Sequence, residues 1–307
     1  MKLSIVSTLY NSQRTLAEFI DRSLESANKL FPGNFEIILV NDGSPDQSLS
    51  LARSFLTKIS NLKIIDLSRN FGHHKAMMTG IMQAKGELIY LIDSDLEEEP
   101  EWLEMFYQKL ILSNCDVVYG VQASRKGGWA ERFGGQLFYK LVNYASNLKL
   151  SENIVTARLM TLQYCKALSL HTESEVFIAG LWRITGFEQI SLQIKKHQHS
   201  PTNYTLSKKI ELFIAAITSF SNRPLILIFY LGLFILIISA LAILFILISA
   251  IFYEKPLSGW TSLILSIWLL GGLTISFIGI TGIYISKIFI ETKRRPYTII
   301  KRIYSNE

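Results

Sequence analysis

The sequence of 307 residues contains two cysteines, Cys115 and Cys165, and their spacing is not typical of a metal site. The pattern argues against a disulfide framework and a cysteine-ligated zinc module, and both thiols are expected to be reduced in a cytosolic domain. Net charge is also scarce before Arg223. Eight of the 31 basic and three of the 25 acidic residues lie from Arg223 onward, so the preceding part has 23 basic and 22 acidic residues and a net charge of +1. A nearly neutral domain lacks the basic face that nucleic acid requires, so no nucleic-acid partner is expected.

Charged residues are missing altogether from two long runs, Leu225 to Phe252 and Leu257 to Ser286. Each run exceeds the roughly 20 apolar residues that span a bilayer. We predict a hairpin of two transmembrane helices; a pair of buried core helices is the alternative. Basic residues flank the outer ends of both runs, so the positive-inside rule predicts a multi-pass inner-membrane protein with both termini in the cytoplasm. No signal peptide is expected, because Met1 leads straight into a strand pattern.

Short apolar runs alternate with helical patterns over the first 120 residues. The predicted strands are Leu3–Thr8, Phe35–Val40, Leu62–Leu67, Glu87–Ile92 and Cys115–Tyr119, and the predicted helices between them are Ser12–Leu30, Pro45–Ile59, His73–Ala84 and Pro100–Leu112. This alternation predicts an α/β domain with a doubly wound, mostly parallel sheet. Polar residues follow four of the strands, and parallel strands bring such ends together at one crevice.

Asp93-Ser94-Asp95 follows the strongly apolar strand Glu87–Ile92. Two carboxylates two residues apart repel each other unless a cation lies between them. Mg²⁺ and Mn²⁺ take such oxygen ligands and also bind diphosphate oxygens. The tripeptide therefore favours a metal that holds a nucleotide diphosphate; a solvated turn is the alternative.

The pattern changes after residue 120. A basic loop, Ser124 to Gly128, precedes an amphipathic stretch from Glu131, and a second such stretch leads from Lys208 into the first apolar run. Helices of this kind lie in the membrane interface or pack against the sheet. We divide the chain into a cytoplasmic domain, a juxtamembrane amphipathic helix, a transmembrane pair and a basic cytoplasmic tail, at residues 1–206, 207–222, 223–290 and 291–307.

Seven motifs occur in an order that is far more specific than any one of them. They are Ile5 to Asn11, Glu36 to Ser44, Ser68 to Gly72, Asp93 to Glu97, Asp116 to Gly120, Arg158 to Met160 and Ile217 to Ser221. Together they resemble glycosyltransferase family two, which has the GT-A fold. Within that family the chain resembles the membrane-anchored polyprenyl-phosphate glycosyltransferases, bacterial relatives of dolichol-phosphate mannose synthase.

The resemblance implies a role for each group of polar residues. The residues implied to bind the nucleotide-sugar donor are Thr8, Tyr10, Asn11, Asp42, Ser44 and Asp93. Asp95 and Glu97 are implied to hold Mg²⁺ or Mn²⁺ with the diphosphate. Arg125, Arg132 and Arg158 are implied to meet the phosphate of a polyprenyl-phosphate acceptor, which guanidinium groups bind in bidentate fashion. The implied reaction inverts the anomeric carbon and feeds a surface polysaccharide or lipid modification.

Several departures from the family pattern leave the acceptor open. Thr156 stands where relatives carry an acid two positions before the motif arginine, and Glu173 and Glu175 lie where members with hydroxyl acceptors place a catalytic acid. Transfer to a hydroxyl of a lipid-linked glycan, with one of these glutamates as base, is therefore the second hypothesis. The third is a membrane scaffold that binds nucleotide sugar without turnover. Gly271-Gly272 would let helices approach closely and suggests a homo-oligomer.

Overall fold

A computed structural model describes residues 1–122, 153–173, 178–195, 221–252 and 259–306. Its strands form one sheet in the order β7-β5-β6-β4-β1-β2-β3-β8. The strands are β1 (Leu3–Leu9), β2 (Phe35–Asn41), β3 (Leu62–Leu67), β4 (Leu88–Leu91), β5 (Val117–Gln122), β6 (Ile154–Thr161), β7 (Gln189–Ile194) and β8 (Ile300–Tyr304).

The four strands at the centre of the sheet run parallel. β1 pairs with β2 and β4, and β2 pairs with β3, whereas β6 runs antiparallel to β4 and β5. All seven residues of β1 and of β2 are buried, because both faces of a parallel sheet are covered. Thr8 lies beside Val40 and Leu9 beside Asn41, so the polar residues that end these two strands emerge at the same edge.

Among the described residues, six helices cover the two faces of the sheet. They are α1 (Leu16–Leu30), α2 (Ser48–Ser54), α3 (His73–Met82), α4 (Trp102–Ser113), α5 (Leu162–Leu168) and α6 (Ile178–Ile184). Ile5 and Ile37 join the core under α1, α2 and α4, whereas Val6 and Ile38 join the core under α3, α5 and α6. The alternation of strand side chains thus feeds two cores, and the predicted α/β fold with a mostly parallel sheet is confirmed.

Two long apolar helices follow, α7 (Arg223–Phe252) and α8 (Trp260–Thr292). Within the described part of the chain, Ser266–Thr292 is the one helical segment long and apolar enough to cross a membrane, and Arg223–Ile235 is a shorter apolar one. The second helix continues to Thr292, six residues beyond the predicted end at Ser286. The Tyr284 hydroxyl donates to the carbonyl of Ser221, which joins α8 to the residues before α7.

The chain beyond α8 is more than the basic tail that the sequence suggested. β8 pairs antiparallel with β3, and the backbone N–H of Ser68 donates to the carbonyl of Ile299 at 2.9 Å. The Asn306 amide donates to the carbonyls of Leu56 and Ile59. β8 covers the edge that β3 would otherwise present to water and itself becomes the edge of the sheet. Lys and Arg are common on such edge strands, because their charges discourage pairing with another chain.

Candidate active site

The ends of β1 and β4 and the start of α3 meet through one histidine. Nδ1 of His73 lies 2.9 Å from the hydroxyl of Thr8, and Nε2 lies 3.2 Å from a carboxylate oxygen of Asp93. Burial by itself lowers the pKa of His73, but the hydrogen bond and charge of Asp93, with the charges of Asp42 and Asp95, raise it above the ordinary value. The predicted donor residues Thr8 and Asp93 therefore lie together, joined by a residue that the sequence analysis left out of the site.

Asp42 holds the loop between β3 and α3. Its two carboxylate oxygens accept the backbone N–H groups of Phe71 and Gly72, at 2.7 and 3.0 Å, and its side chain is buried. Burial raises the pKa of Asp42, and the two amide hydrogen bonds offset part of that rise. The structure thus gives Asp42 a loop-fixing role, while its contact with a nucleoside stays a prediction.

Asn11 and Ser44 meet in the neighbouring loop. The backbone N–H of Asn11 donates to the hydroxyl of Ser44, which in turn donates to Asp46 at 2.5 Å. Asp46 also accepts the backbone N–H groups of Gln13 and Ser48. Burial alone would raise the pKa of Asp46, but these bonds outweigh it and lower the pKa to about 2. Asp46 was missed in the sequence, although an Asp just before a helix is a recognised capping signal.

The β2 and β3 loops touch at Gly43. Its φ is +61°, and a Cβ added there would lie 2.6 Å from the backbone nitrogen of Asn70. Only a residue without a side chain fits both the left-handed backbone and this approach. The half-exposed side chain of Tyr10 lies on the neighbouring loop after β1, in keeping with a surface that a ligand could cover.

Asp93, Asp95 and Glu97 present carboxylates on one short turn. Ser94, which lies between the first two, is buried and donates to the carbonyl of Thr8 at 2.8 Å. Asp95 is exposed and accepts the backbone N–H of Glu97 at 2.9 Å, while Asp93 is 18% exposed. The serine thus ties the turn to β1 and leaves the carboxylates at its surface.

The oxygen donors of this turn fit a divalent cation that arrives with phosphate. Among the described residues there is no group of three His, Cys, Asp or Glu side chains arranged to hold a metal. Mg²⁺ typically takes one or two protein carboxylates and completes its shell with water and substrate phosphates. Asp95 and Glu97 match that chemistry.

Arg158 is buried in the core beside an open pocket. Its guanidinium donates to the carbonyls of Val155 and Thr156, both at 3.2 Å, and stacks 2.8 Å from the ring centroid of Trp182. Burial lowers its pKa to about 9. The pocket is small, about 20 Å³, and is lined by Tyr119, Ile154, Arg158, Ala179, Trp182, Arg183 and Gln189. Acceptor binding by Arg158 stays a prediction.

Thr156, the residue that replaces the expected acid, lies next to another carboxylate. Its backbone N–H donates to Glu98 at 3.0 Å, and Glu98 is fully buried. Glu98 comes directly after the Asp93 to Glu97 turn, so one short segment carries four acids. Sequence reasoning missed it, because only the fold brings β6 to this turn.

Some predicted residues lie outside the described part of the chain. They are Arg125, Arg132, Glu175, the helix expected from Glu131 and residues 207–220 of the juxtamembrane helix. Glu173 is described, and its carboxylate lies 3.5 Å from Nδ1 of His171 with 42% of the side chain exposed. No role for Glu173 follows from that contact.

Comparison with known proteins adds a family to this geometry. The model of "Glycosyl transferase family 2" matches residues 4–168. A Mycobacterium tuberculosis protein described as "Putative glycosyltransferases" is 50% identical over 307 residues, which is 100% of this chain and 90% of the relative. The bactoprenol glucosyl transferase of Shigella phage SfII is 30% identical over 305 residues, 98% of each chain.

The solved structures agree on the fold. The mannosyltransferase PcManGT from Pyrobaculum calidifontis, solved with GDP-Man and Mn²⁺, superposes with a TM-score of 0.50 and 14% identity, over 70% of this chain and 62% of that one. At this identity the likeness concerns the arrangement of strands and helices alone.

Proposed function

The chain belongs to glycosyl transferase family 2, and from that membership we propose that it moves one sugar from a nucleotide sugar to a polyprenyl phosphate such as undecaprenyl phosphate. The observation that carries the proposal is the end-to-end similarity to bactoprenol glucosyl transferases, which includes the apolar helices as well as the sheet domain. A lipid acceptor also explains why a transferase domain continues into a helix of membrane-crossing length.

The donor would bind where the strand-end loops converge. Thr8 and Tyr10 lie at the end of β1, and Asp42 fixes the adjacent loop, so this edge is suited to the nucleoside. Asp93 would contact the diphosphate and sugar. Asp95 and Glu97 would hold Mg²⁺ or Mn²⁺, which when bound supplies positive charge to the departing diphosphate.

The acceptor would need no general base. A lipid phosphate is anionic at neutral pH and can attack the anomeric carbon from the face opposite the leaving group, which inverts that centre. Arg125 and Arg132 would bind the phosphate through paired N–H groups, and Arg158, whose guanidinium donates to the carbonyls of Val155 and Thr156, would add positive charge beside it. Catalysis would then consist of positioning the two substrates and neutralising charge.

The proposed location is the inner membrane, with α7 and α8 as two spans and the sheet domain on the cytoplasmic side. The return of β8 to the sheet supports this arrangement, because the chain before α7 and the chain after α8 then lie on the same side. The basic residues Lys293, Arg294 and Arg295 directly after α8 fit a cytoplasmic membrane surface.

A transfer assay tests the proposal. The full-length protein in nanodiscs is given undecaprenyl phosphate, a panel of radiolabelled nucleotide sugars, and Mg²⁺ or Mn²⁺. We expect label in the lipid fraction as a monophosphate-linked sugar, lost on chelation of the metal. Asp95→Asn should reduce transfer by at least about a hundredfold, the scale of removing one charge-stabilising group.

The control is Glu104→Gln, which changes an exposed carboxylate on α4 that pairs with Lys29. Full transfer by Asp95→Asn at saturating metal would refute the metal role. Transfer only when a lipid-linked glycan is supplied would favour a hydroxyl acceptor, and Glu173→Gln should then abolish it if Glu173 is the base. Nucleotide-sugar binding without turnover on either acceptor would favour a scaffold.

A further inference from the structure

His73 connects two parts of the site that lie far apart in the sequence. It is the first residue of α3, whereas Thr8 lies near the end of β1 and Asp93 lies two residues beyond the end of β4. The two strands are neighbours in the sheet, and the imidazole bridges their ends with contacts of 2.9 Å to Thr8 and 3.2 Å to Asp93. The ring therefore crosses from the end proposed for the nucleoside to the end proposed for the diphosphate.

The chemistry of the two contacts defines what the ring does. An ionised carboxylate has no proton to give, so Nε2 of His73 carries a proton and donates it to Asp93. The Thr8 hydroxyl can donate to or accept from Nδ1, so this contact persists whichever nitrogen is protonated. A ring held at both nitrogens has a defined orientation, and it transmits that orientation to the Asp93 carboxylate.

The surroundings make this orientation consequential. The carboxylate of Asp93 is 18% exposed, whereas the side chain of His73 is 48% exposed, so the ring forms the outer wall of the Asp93 site. The carboxylates of Asp42 and Asp95 also act on the ring electrostatically. A donor with a diphosphate must enter among these negative charges, beside the imidazole ring of His73.

We propose that His73 is a positioning residue for the nucleoside diphosphate part of the donor, because it fixes Asp93 and Thr8 relative to each other before the donor binds. This inference rests on the proposed function for its ligand class. It assigns a role within the donor site alone and none toward the acceptor. Loss of the ring should therefore weaken donor binding and leave acceptor binding unchanged.

The test compares His73→Ala and His73→Gln with the adjacent His74→Gln in the full-length protein in nanodiscs. Dissociation constants for UDP and GDP with Mg²⁺ are measured by calorimetry, together with KM for the donor sugar and for the lipid, and the unfolding temperature. We expect His73→Ala to weaken binding of the preferred nucleotide about tenfold or more, as loss of a hydrogen bond to a charged group does. The glutamine amide can donate as Nε2 does, so His73→Gln should recover most of the affinity.

The outcomes separate this inference from the proposed function. Unchanged nucleotide affinity in His73→Ala would overturn it, and so would an equal loss in His74→Gln or an affinity loss matched by a lower folded fraction. A rise in the lipid KM equal to the rise in the donor KM would also overturn it. If no acceptor receives sugar from the wild-type protein but His73→Ala still weakens nucleotide binding, the proposed function fails and the positioning role stands.

Discussion

Gly43→Ala should damage the site far more than a glycine replacement with the same backbone strain elsewhere. Gly33 and Gly43 have nearly equal φ angles, +66° and +61°, but a Cβ at position 33 meets nothing within 4 Å. A Cβ at position 43 would lie 2.6 Å from Asn70 N and 2.7 Å from Arg69 C, both of them backbone atoms. Comparing Gly33→Ala with Gly43→Ala therefore separates the free-energy cost of the left-handed backbone from the cost of the close contact with Arg69 and Asn70.

The expected magnitudes follow from these two terms. A left-handed conformation costs an alanine about 1–2 kcal/mol, and this is the whole effect expected for Gly33→Ala. Overpacking adds about 1–3 kcal/mol, so Gly43→Ala should lose roughly 2–5 kcal/mol. The loop that must move includes the residues whose amides bind Asp42, namely Phe71 and Gly72. The displaced loop should also weaken nucleotide binding.

The assay is chemical unfolding of the full-length protein in detergent, followed by binding of UDP and GDP with Mg²⁺. Gly33 lies two residues before β2, at the end opposite the one that carries the site, so Gly33→Ala should bind nucleotide as the wild type does. Equal stability losses in the two variants, or unchanged nucleotide binding in Gly43→Ala, would refute the close approach of the β2 and β3 loops.

Three further predictions concern parts of the chain around the site. The pKa of Asp46 is lowered to about 2, so ionised Asp46 stabilises the fold above about pH 4, and this contribution disappears as the pH falls toward 2. When the free energy of unfolding is measured as a function of pH, Asp46→Asn should therefore lose less stability between about pH 4 and pH 2 than the wild type does. Asn306→Ala removes two hydrogen bonds that tie the chain after β8 to the sheet domain and should cost about 1 kcal/mol in urea unfolding, whereas no change would mean that this end is not docked. Arg158→Lys loses the paired hydrogen bonds to the carbonyls of Val155 and Thr156 and the stacking on Trp182. It should lower the free energy of unfolding in urea by about 2 kcal/mol or more, and wild-type stability would show that the buried guanidinium contributes nothing.

The local patterns were reliable because each depends on neighbouring residues. The run from Phe35 to Val40 predicted a strand, and β2 extends it by one residue to Asn41. The predicted helix Pro45–Ile59 was too long, since α2 spans Ser48–Ser54. Asp46 explains the late start, because it lies outside the helix and its carboxylate accepts the N–H of Ser48, the first helical residue. Single-residue boundaries of this kind depend on caps and not on hydrophobic period.

The contacts within the site were less accessible to sequence reasoning. Asp42 was expected to face a nucleoside, yet both of its oxygens are taken by backbone amides 29 and 30 residues away. His73 entered the sequence analysis only as the first residue of the predicted helix His73–Ala84. Its role depends on Thr8, 65 residues away, and on Asp93 in a different loop. No pattern in a single sequence reports which distant side chains meet.

The C-terminal segment shows the same difference between what the sequence predicts and what only the fold reveals. Its charges predicted a basic tail, and Lys301 and Arg302 are indeed exposed. The pairing of this segment with β3, and the contact of Thr298 with Thr79 on α3 at 2.8 Å, could not be read from a short run of mixed residues. An edge strand with one exposed face has a weak hydrophobic signal, because half of its side chains need not be apolar.

The sequence by itself determined the alternation of buried strands and helices, the two long apolar runs and the acidic turn after the fourth strand. Those features follow from composition and period over a few residues, which the chain carries locally. The tertiary structure alone decided that His73 joins Thr8 to Asp93, that Gly43 lies against the backbone of Asn70 and that the last strand returns to the sheet. Such contacts join residues that are distant in the chain, so they exist only after strand register and helix packing have brought the loops together.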